Sequence, residues 1–167
     1  MPESIRPTRI LVLAALLTFG SSLRATDLLA QQGSRSAASS DACGLLTKED
    51  AAAALGEAAT GPTFTPNLTD AGTVASACEY TGSGLHRINL SLMRIPASQV
   101  PMYRGICAQQ KQDGLAGLGD VACWYQDTRD ELHAMKGNAF ISIELSRSGD
   151  PTAAIIAAMR KAVDRLH

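Results

Sequence analysis

The segment Arg87-Ile-Asn-Leu-Ser-Leu-Met93 alternates apolar and polar side chains without a break. A period of two residues is typical of a β-strand with one buried face. Ile88, Leu90 and Leu92 therefore share the face that enters a core, while the residues between them point the other way. The sequence predicts that this strand belongs to an antiparallel sheet.

A second strand of the same kind covers Ala139-Phe-Ile-Ser-Ile-Glu-Leu145. Its inward side chains are Ile141, Ile143 and Leu145, and its outward side chains are Ser142 and Glu144. Gly137-Asn138 precedes it and predicts a two-residue hairpin turn from a strand over Leu132–Lys136.

The remaining segments complete the order helix, two strands, helix, three strands, helix. The predicted helices cover 47–56, 98–112 and 150–166, and the predicted strands cover 75–80, 87–93, 121–125, 132–136 and 139–145. The stretch 60–73 is rich in Gly, Pro, Thr and Asn and predicts a loop. The predicted fold class is α+β, with one antiparallel sheet of about five strands, two to three helices packed on one face, and disulfides as staples.

The N-terminal segment resembles an export signal. Arg6 and Arg9 precede an apolar run over 10–19, and small residues follow it, as in a secretory signal peptide. We assign 1–30 to this signal, 31–40 to a small, polar, flexible linker, and 41–167 to a single α+β domain. The predicted location is periplasmic or secreted, with membrane attachment only if the signal stays uncleaved.

Four cysteines follow the signal, at Cys43, Cys78, Cys107 and Cys123. An even number in a short exported domain predicts disulfides, for which three pairings are possible. Cys107 ends a predicted helix and Cys123 lies on the strand beyond a glycine-rich turn, so this pair would clip helix to sheet and leave Cys43 to pair with Cys78. No Cys-x-x-Cys motif and no haem attachment motif accompanies them.

Composition excludes several partners. From Asp41 onward the chain carries eleven Lys or Arg and fourteen Asp or Glu, and no run of like charge exceeds two residues. This distribution argues against a nucleic-acid partner and gives no reason to expect binding to anionic membranes. Gly114-Leu-Ala-Gly-Leu-Gly-Asp120 leads into a strand instead of opening a helix, so it predicts a turn with positive φ angles and not a phosphate loop. We predict no cofactor, no metal and no catalytic residue.

The two internal histidines, His86 and His133, are candidate site residues. His86 begins a strand after a Gly-Ser-Gly turn, and His133 lies on the sheet face opposite Leu132. Glu131 or Asp127 would be the nearest extra ligand for a metal, but no fixed spacing supports such a site.

Adjacent aromatic residues at Trp124 and Tyr125 should point to opposite sides of the sheet, one into the core and one outward. An exposed aromatic side chain beside an acidic loop is a candidate contact for a partner. We therefore name Trp124, Tyr125 and His133 as possible partner contacts. The rest of the predicted open sheet face consists of Asn89, Ser91, Ser142 and Glu144.

Three motifs carry a resemblance to a known group: Ala42-Cys-Gly-Leu-Leu-Thr47, Ala77-Cys-Glu-Tyr80 and Gly117-Leu-Gly-Asp120. Together they resemble small exported bacterial envelope domains of unknown function, often lipoproteins, with an N-terminal Cys-x-Leu-Leu segment. The resemblance implies an α+β envelope protein and brings no assigned activity. This chain lacks the lipobox of the lipoprotein members.

Three functions are compatible with these observations. The first is a non-enzymatic binding or sensing module of the periplasm or cell envelope, with an unknown protein or small-molecule partner. The second is a small secreted hydrolase that uses His86 or His133 with a nearby carboxylate. The third is an inhibitor or structural component that binds another protein. The sequence does not distinguish the first from the third.

Overall fold

The structure, a computed structural model, describes residues 41–70 and 73–166. The predicted signal segment and linker lie outside the described residues. The helices are α1 (Ala42–Leu45), α2 (Lys48–Leu55), α3 (Val100–Ala108) and α4 (Thr152–Asp164). The strands are β1 (Thr60–Asp70), β2 (Thr73–Thr81), β3 (Arg87–Arg94), β4 (Val121–Trp124), β5 (Glu131–Lys136) and β6 (Ala139–Ser146). Short 3₁₀ turns cover Ala97–Gln99 and Tyr125–Asp127.

The strands form one antiparallel sheet in the order β1-β2-β3-β6-β5-β4. At its centre β3 pairs with β6, so that Leu90 lies opposite Ile143 and Leu92 opposite Ile141. These side chains are fully buried or nearly so, as the alternation predicts. The predicted α+β sheet stapled by disulfides is confirmed.

The stretch predicted as a loop, 60–73, instead contains the edge strand β1. Its register against β2 breaks between Thr60 and Thr63 and again between Thr65 and Leu68, the two intervals that contain Pro62 and Pro66. Proline has no N–H to donate to a ladder and is tolerated at a sheet edge or a bulge. The prolines therefore interrupt the strand without preventing it, and the sheet has six strands.

Three helices, α1, α2 and α4, pack on the inner face of the sheet and enclose the main core. The predicted stripe of α4 is buried there: Ile155, Met159, Ala162, Val163 and Leu166. Trp124 also enters this core from β4 and is 0% exposed. None of the helices in the described part of the chain is long and apolar enough to cross a membrane.

The helix predicted over 98–112 is present as α3, but it lies on the opposite face of the sheet from α1, α2 and α4. It packs near a small second cluster formed by Ile95, Met135 and Phe140, with Tyr103 at its border. Cys107 is the buried residue of α3. Because α3 has so little apolar surface to bury, its disulfide bond to β4 provides much of the constraint that holds it in position.

Two disulfides are present, and both match the pairing that local geometry favoured. Cys43 of α1 bonds to Cys78 of β2, and Cys107 of α3 bonds to Cys123 of β4. The first staples a helix to the inner face of the sheet and the second staples a helix to the outer face. Disulfides persist in oxidising compartments, so their presence indicates an oxidising, extracytoplasmic environment.

A cluster around Asp50 joins the first helices to the last one. Thr47 caps α2 reciprocally with Asp50, and the Asp50 carboxylate also accepts from Lys161 Nζ at 2.6 Å and from Arg165 Nη1 at 2.5 Å. Burial alone would raise the pKa of Asp50, but these hydrogen bonds with Lys161, Arg165 and Thr47 outweigh it and hold the pKa well below its usual range. Arg165 also donates to the Leu45 carbonyl at 2.9 Å. The cluster fixes α4 against α1 and α2.

The first prediction concerns this cluster. Replacing Asp50 with Asn should lower the free energy of unfolding at pH 7 by about 2 kcal/mol, since hydrogen bonds to charged groups contribute roughly 1.5–3 kcal/mol and both cations are partly exposed to screening water. The pKa of Asp50 is lower in the folded chain than in the unfolded one. Its contribution is therefore complete above about pH 4 and is lost as the pH falls further.

Urea unfolding at pH 7 and pH 3 measures this effect, and the gap between the wild type and Asp50→Asn should narrow at pH 3. The matched control is Asp164→Asn, an exposed carboxylate on α4, which should change stability by less than about 0.5 kcal/mol. An Asp50→Asn protein as stable as the wild type at pH 7 would show that the cluster does not hold α4.

Candidate functional site

The predicted contact residues separate in the structure. Trp124 is buried in the main core, where its Nε1–H donates to the Asp113 carbonyl at 3.4 Å and the Arg129 guanidinium lies 4.9 Å from its ring centre. Tyr125 is 38% exposed, and His133 lies partly buried on the outer face of the sheet. One aromatic residue of the pair thus points inward and the other outward, as expected. Trp124 itself is not available to a partner.

Tyr125 and His133 help to line a cavity between α3 and the outer face of the sheet, which we call the α3 cavity. Its volume is about 210 Å³. The lining residues are Met93, Tyr103, Ile106, Cys107, Gln110, Cys123, Tyr125, His133 and Phe140. Most of these side chains are apolar or aromatic, so the cavity suits an apolar group.

The sheet register and the second disulfide build this cavity. Pairing of β3 with β6 places Met93 opposite Phe140 on the outward face. The Cys107–Cys123 bond holds α3 over them, with the Tyr103 ring 5.3 Å from the Phe140 ring. The His133 ring lies 5.0 Å from Tyr125 and 5.0 Å from Phe140. Aromatic contacts at these distances keep the walls in place.

A small polar network fixes His133 at the edge of the cavity. Its Nε2 lies 2.8 Å from Glu131 Oε1, and the Ser142 hydroxyl donates to the same carboxylate oxygen at 3.0 Å. Covalent catalysis requires a nucleophile in contact with the general base, which would be the His133 imidazole. Here Ser142 contacts the Glu131 carboxylate instead. The network therefore orients the imidazole and does not form a nucleophile–base pair.

The outer face is less open than the sequence predicted, because α3 covers the part next to β4 and the cavity. Asn89, Ser91, Ser142 and Glu144 are each partly buried. Glu144 accepts from Arg87 at 3.3 Å, and Ser142 is engaged by Glu131. The predicted broad contact face is therefore corrected to a narrower polar strip beside the α3 cavity.

His86 belongs to a different network, which we call the Glu57 cluster and define as Glu57, Ser83, His86 and Ser148. His86 Nδ1 lies 2.7 Å from Glu57 Oε1, and His86 Nε2 lies 3.0 Å from Ser148 Oγ. Ser83 donates its hydroxyl to Glu57 Oε2 at 2.5 Å and its N–H to Oε1 at 3.0 Å. Hydrogen bonds from Ser83, followed by His86, lower the pKa of Glu57 to about 2.

The histidines and Asp127 do not converge on one site. Asp127 pairs with Lys111 at 3.4 Å, while His86 contacts Glu57 and His133 contacts Glu131. Within residues 41–70 and 73–166, no group of three or more His, Cys, Asp or Glu side chains is arranged to hold a metal ion.

The glycine-rich segment forms a turn at the edge of the sheet. Gly117 and Gly119 have φ angles of 80° and 72°, which favour glycine. A side chain at Gly119 would collide with the Met135 carbonyl. Asp120 contacts Arg104 and accepts from the Gly137 N–H at 2.9 Å. The predicted positive-φ turn is confirmed. Its Asp120 carboxylate connects the turn to α3 through Arg104 and to the β5–β6 hairpin through Gly137.

Sequence reasoning missed most of the cavity. Met93 and Phe140 are apolar residues at outward positions of strands whose inward positions are also apolar. That departure from alternation was a signal that something covers the outer face. Tyr103 and Ile106 gave no comparable signal, because the sequence did not tell which face α3 would cover.

Comparison with models of known protein families, with curated proteins and with solved structures gave no significant match for this chain. The resemblance to small exported envelope domains therefore stays a prediction.

The second prediction tests how α3 is held. Replacing Cys107 and Cys123 together with Ala should cost about 3 kcal/mol of unfolding free energy, the value expected for a closed loop of this length in the chain-entropy model. Because α3 buries little else, the 97–112 amides should exchange with deuterium much faster, while those of β3 and β6 stay protected. Hydrogen-exchange mass spectrometry on the oxidised wild type and the variant measures both. Unchanged exchange in α3 would show that side-chain packing alone holds it.

Proposed function

We propose that this chain is an extracytoplasmic protein-binding module, and that the α3 cavity receives one apolar or aromatic side chain of a partner protein. The observation that carries this proposal is the cavity itself, which is walled by Tyr103, Tyr125 and Phe140 and edged by an oriented imidazole. Interface anchors are commonly aromatic or apolar side chains seated in such pockets.

The volume of the cavity favours a single side chain over a complete small-molecule ligand. Sites for whole ligands usually measure about 300–1,000 Å³, whereas this cavity measures about 210 Å³. The space is therefore of the size of one ring or branched aliphatic group. The remainder of the bound molecule must lie outside, against the surface around the mouth.

The surface next to the mouth is also apolar. Met102 and Ile106 lie four residues apart on α3 and are 55% and 52% exposed, and Tyr125 is 38% exposed. Residues at this spacing share one face of a helix, so Met102 extends the apolar surface that Ile106 begins. Exposed apolar patches of this kind mark interaction sites. Close in sequence to Tyr125, Asp127 is paired with Lys111. These two opposite charges balance each other and therefore do not require a charged partner.

The proposed location is the periplasm or the exterior of a bacterial cell. The two disulfides support it, because such bonds persist in oxidising compartments. The predicted signal segment at 1–30 and the resemblance to exported envelope domains point the same way.

The third prediction tests the occupant of the cavity. The probes are N-acetyl-phenylalaninamide, which carries peptide groups on both sides of its ring, and N-acetyl-alaninamide as the negative control. NMR titration should shift signals of Tyr103, Tyr125, His133 and Phe140 with the first probe and not with the second. Replacing Ile106 with Ser should weaken binding about fivefold, which corresponds to roughly 1 kcal/mol of lost apolar contact.

The matched control is Leu85→Ser, because Leu85 is 90% exposed in the β2–β3 turn and does not line the cavity. It should leave the titration unchanged. Toluene serves as a further probe that has the ring without the peptide groups. Entry of toluene without entry of the blocked phenylalanine would contradict a protein partner, and the absence of any shift at cavity residues would contradict the proposed site.

A further inference from the structure

A serine, a histidine and a glutamate form a hydrogen-bonded relay at the end of the sheet remote from the α3 cavity. Ser148 Oγ lies 3.0 Å from His86 Nε2, and His86 Nδ1 lies 2.7 Å from Glu57 Oε1. A nucleophile in contact with a base that is itself oriented by a carboxylate is the arrangement of covalent hydrolases. We infer that Ser148 is an activated nucleophile that accepts acyl groups from activated esters.

Three separate segments bring these side chains together. Glu57 follows α2, His86 ends the β2–β3 turn, and Ser148 lies in the β6–α4 connection. Arg147 donates to the Ala54 carbonyl at 2.7 Å and so ties that connection to the end of α2. Gly82 leaves room for the Glu57 carboxylate, since a side chain there would collide with it. The relay is therefore held from both sides.

The hydrogen bonds also set the form of the imidazole that catalysis needs. With its pKa lowered to about 2, Glu57 is ionised at neutral pH and accepts the proton of Nδ1. The lone pair of Nε2 then faces Ser148, where it accepts from the backbone N–H at 3.2 Å and lies 3.0 Å from the hydroxyl oxygen. A neutral imidazole in this tautomer is a general base aimed at the serine hydroxyl.

The reaction follows from this arrangement. Ser148 Oγ attacks the ester carbonyl carbon while its proton moves to His86 Nε2, and Glu57 stabilises the imidazolium. The C–O bond to the leaving alcohol breaks, and the alkoxide takes the proton from Nε2, which leaves an acylated serine. Water then attacks the acyl carbon with His86 again as the base, and the carboxylic acid departs as Ser148 recovers its proton. No oxidant, metal or cofactor takes part.

The exposed position of Ser148 defines the class of substrate. Its side chain is open to solvent, so small acyl groups with good leaving groups can reach it directly. This site is independent of the proposed binding function, because His86 directly precedes β3 and Met93 lies near the other end of that strand, roughly 23 Å away at about 3.3 Å per residue. Either assignment can fail without the other.

The fourth prediction tests the relay with p-nitrophenyl acetate. The oxidised full domain should release p-nitrophenol and gain one acetyl group, which peptide mass spectrometry should locate on Ser148. Ser148→Ala should abolish the adduct, because it removes the nucleophile, and His86→Asn should lower the acylation rate by about 100-fold or more, the usual contribution of general-base catalysis.

Ser98 provides the matched control, because it is an exposed serine in the 3₁₀ turn Ala97–Gln99 and lies outside the Glu57 cluster. Ser98→Ala should keep both the adduct and its rate within about threefold of the wild type, far from the 100-fold effect of losing the base. Ser148 lies in an exposed connection, so Ser148→Ala should fold normally, and thermal unfolding checks this. The inference is overturned by an absent adduct, by an adduct on another residue, or by an unchanged rate in Ser148→Ala.

Glu57 acts as a positioning residue, and its role needs a readout beyond stability. In Glu57→Leu the acylation rate should fall, and the ring ¹⁵N NMR signals of His86 should show that the tautomer protonated at Nδ1 is no longer the single form, because no carboxylate then accepts that proton. A variant that only loosens the turn would lower the rate and leave the tautomer unchanged. An unchanged tautomer would overturn the role of Glu57 in the relay.

Discussion

The pairing of β3 with β6 is the constraint on which the rest of the structure depends. It joins residues that are 45 to 59 positions apart in the chain and aligns Leu90 with Ile143 and Leu92 with Ile141. A shift of one residue would turn every apolar side chain of a strand towards the wrong face. The register therefore decides where the helices of the main core pack, and the Asp50 cluster then holds α4 against α1 and α2.

The same register decides what the other face of the sheet carries. With the inward positions filled by aliphatic side chains, Met93 and Phe140 meet on the outward side. Their apolar surface is too small to form a second full core, and α3 covers it only in part because Cys107 is tied to Cys123. A helix held by one covalent bond over a small aromatic cluster leaves the α3 cavity. This incomplete packing leaves the space that the proposed binding function would use.

Local patterns predicted much of the fold. The alternation in β3 and β6, the Thr47 cap and the apolar stripe of α4 are all short-range features, and each one appears in the structure. The prediction of a loop over 60–73 was wrong, because this stretch contains the edge strand β1. The Gly, Pro and Thr content of β1 resembles that of a turn region. Edge strands are less demanding of their residues than central ones, so composition alone could not identify it.

Residue periods and proximity along the chain are local properties, and they were enough to predict the fold class, the inward residues of the central strands and the favoured disulfide pairing. The face that α3 covers and the side chains that meet across the chain became known only from the folded structure. Ser148 reaches His86 across sixty-two residues of sequence, and Tyr103 reaches Phe140 through the position of a tethered helix. Sites of this kind depend on distances between segments, and no local pattern encodes those distances.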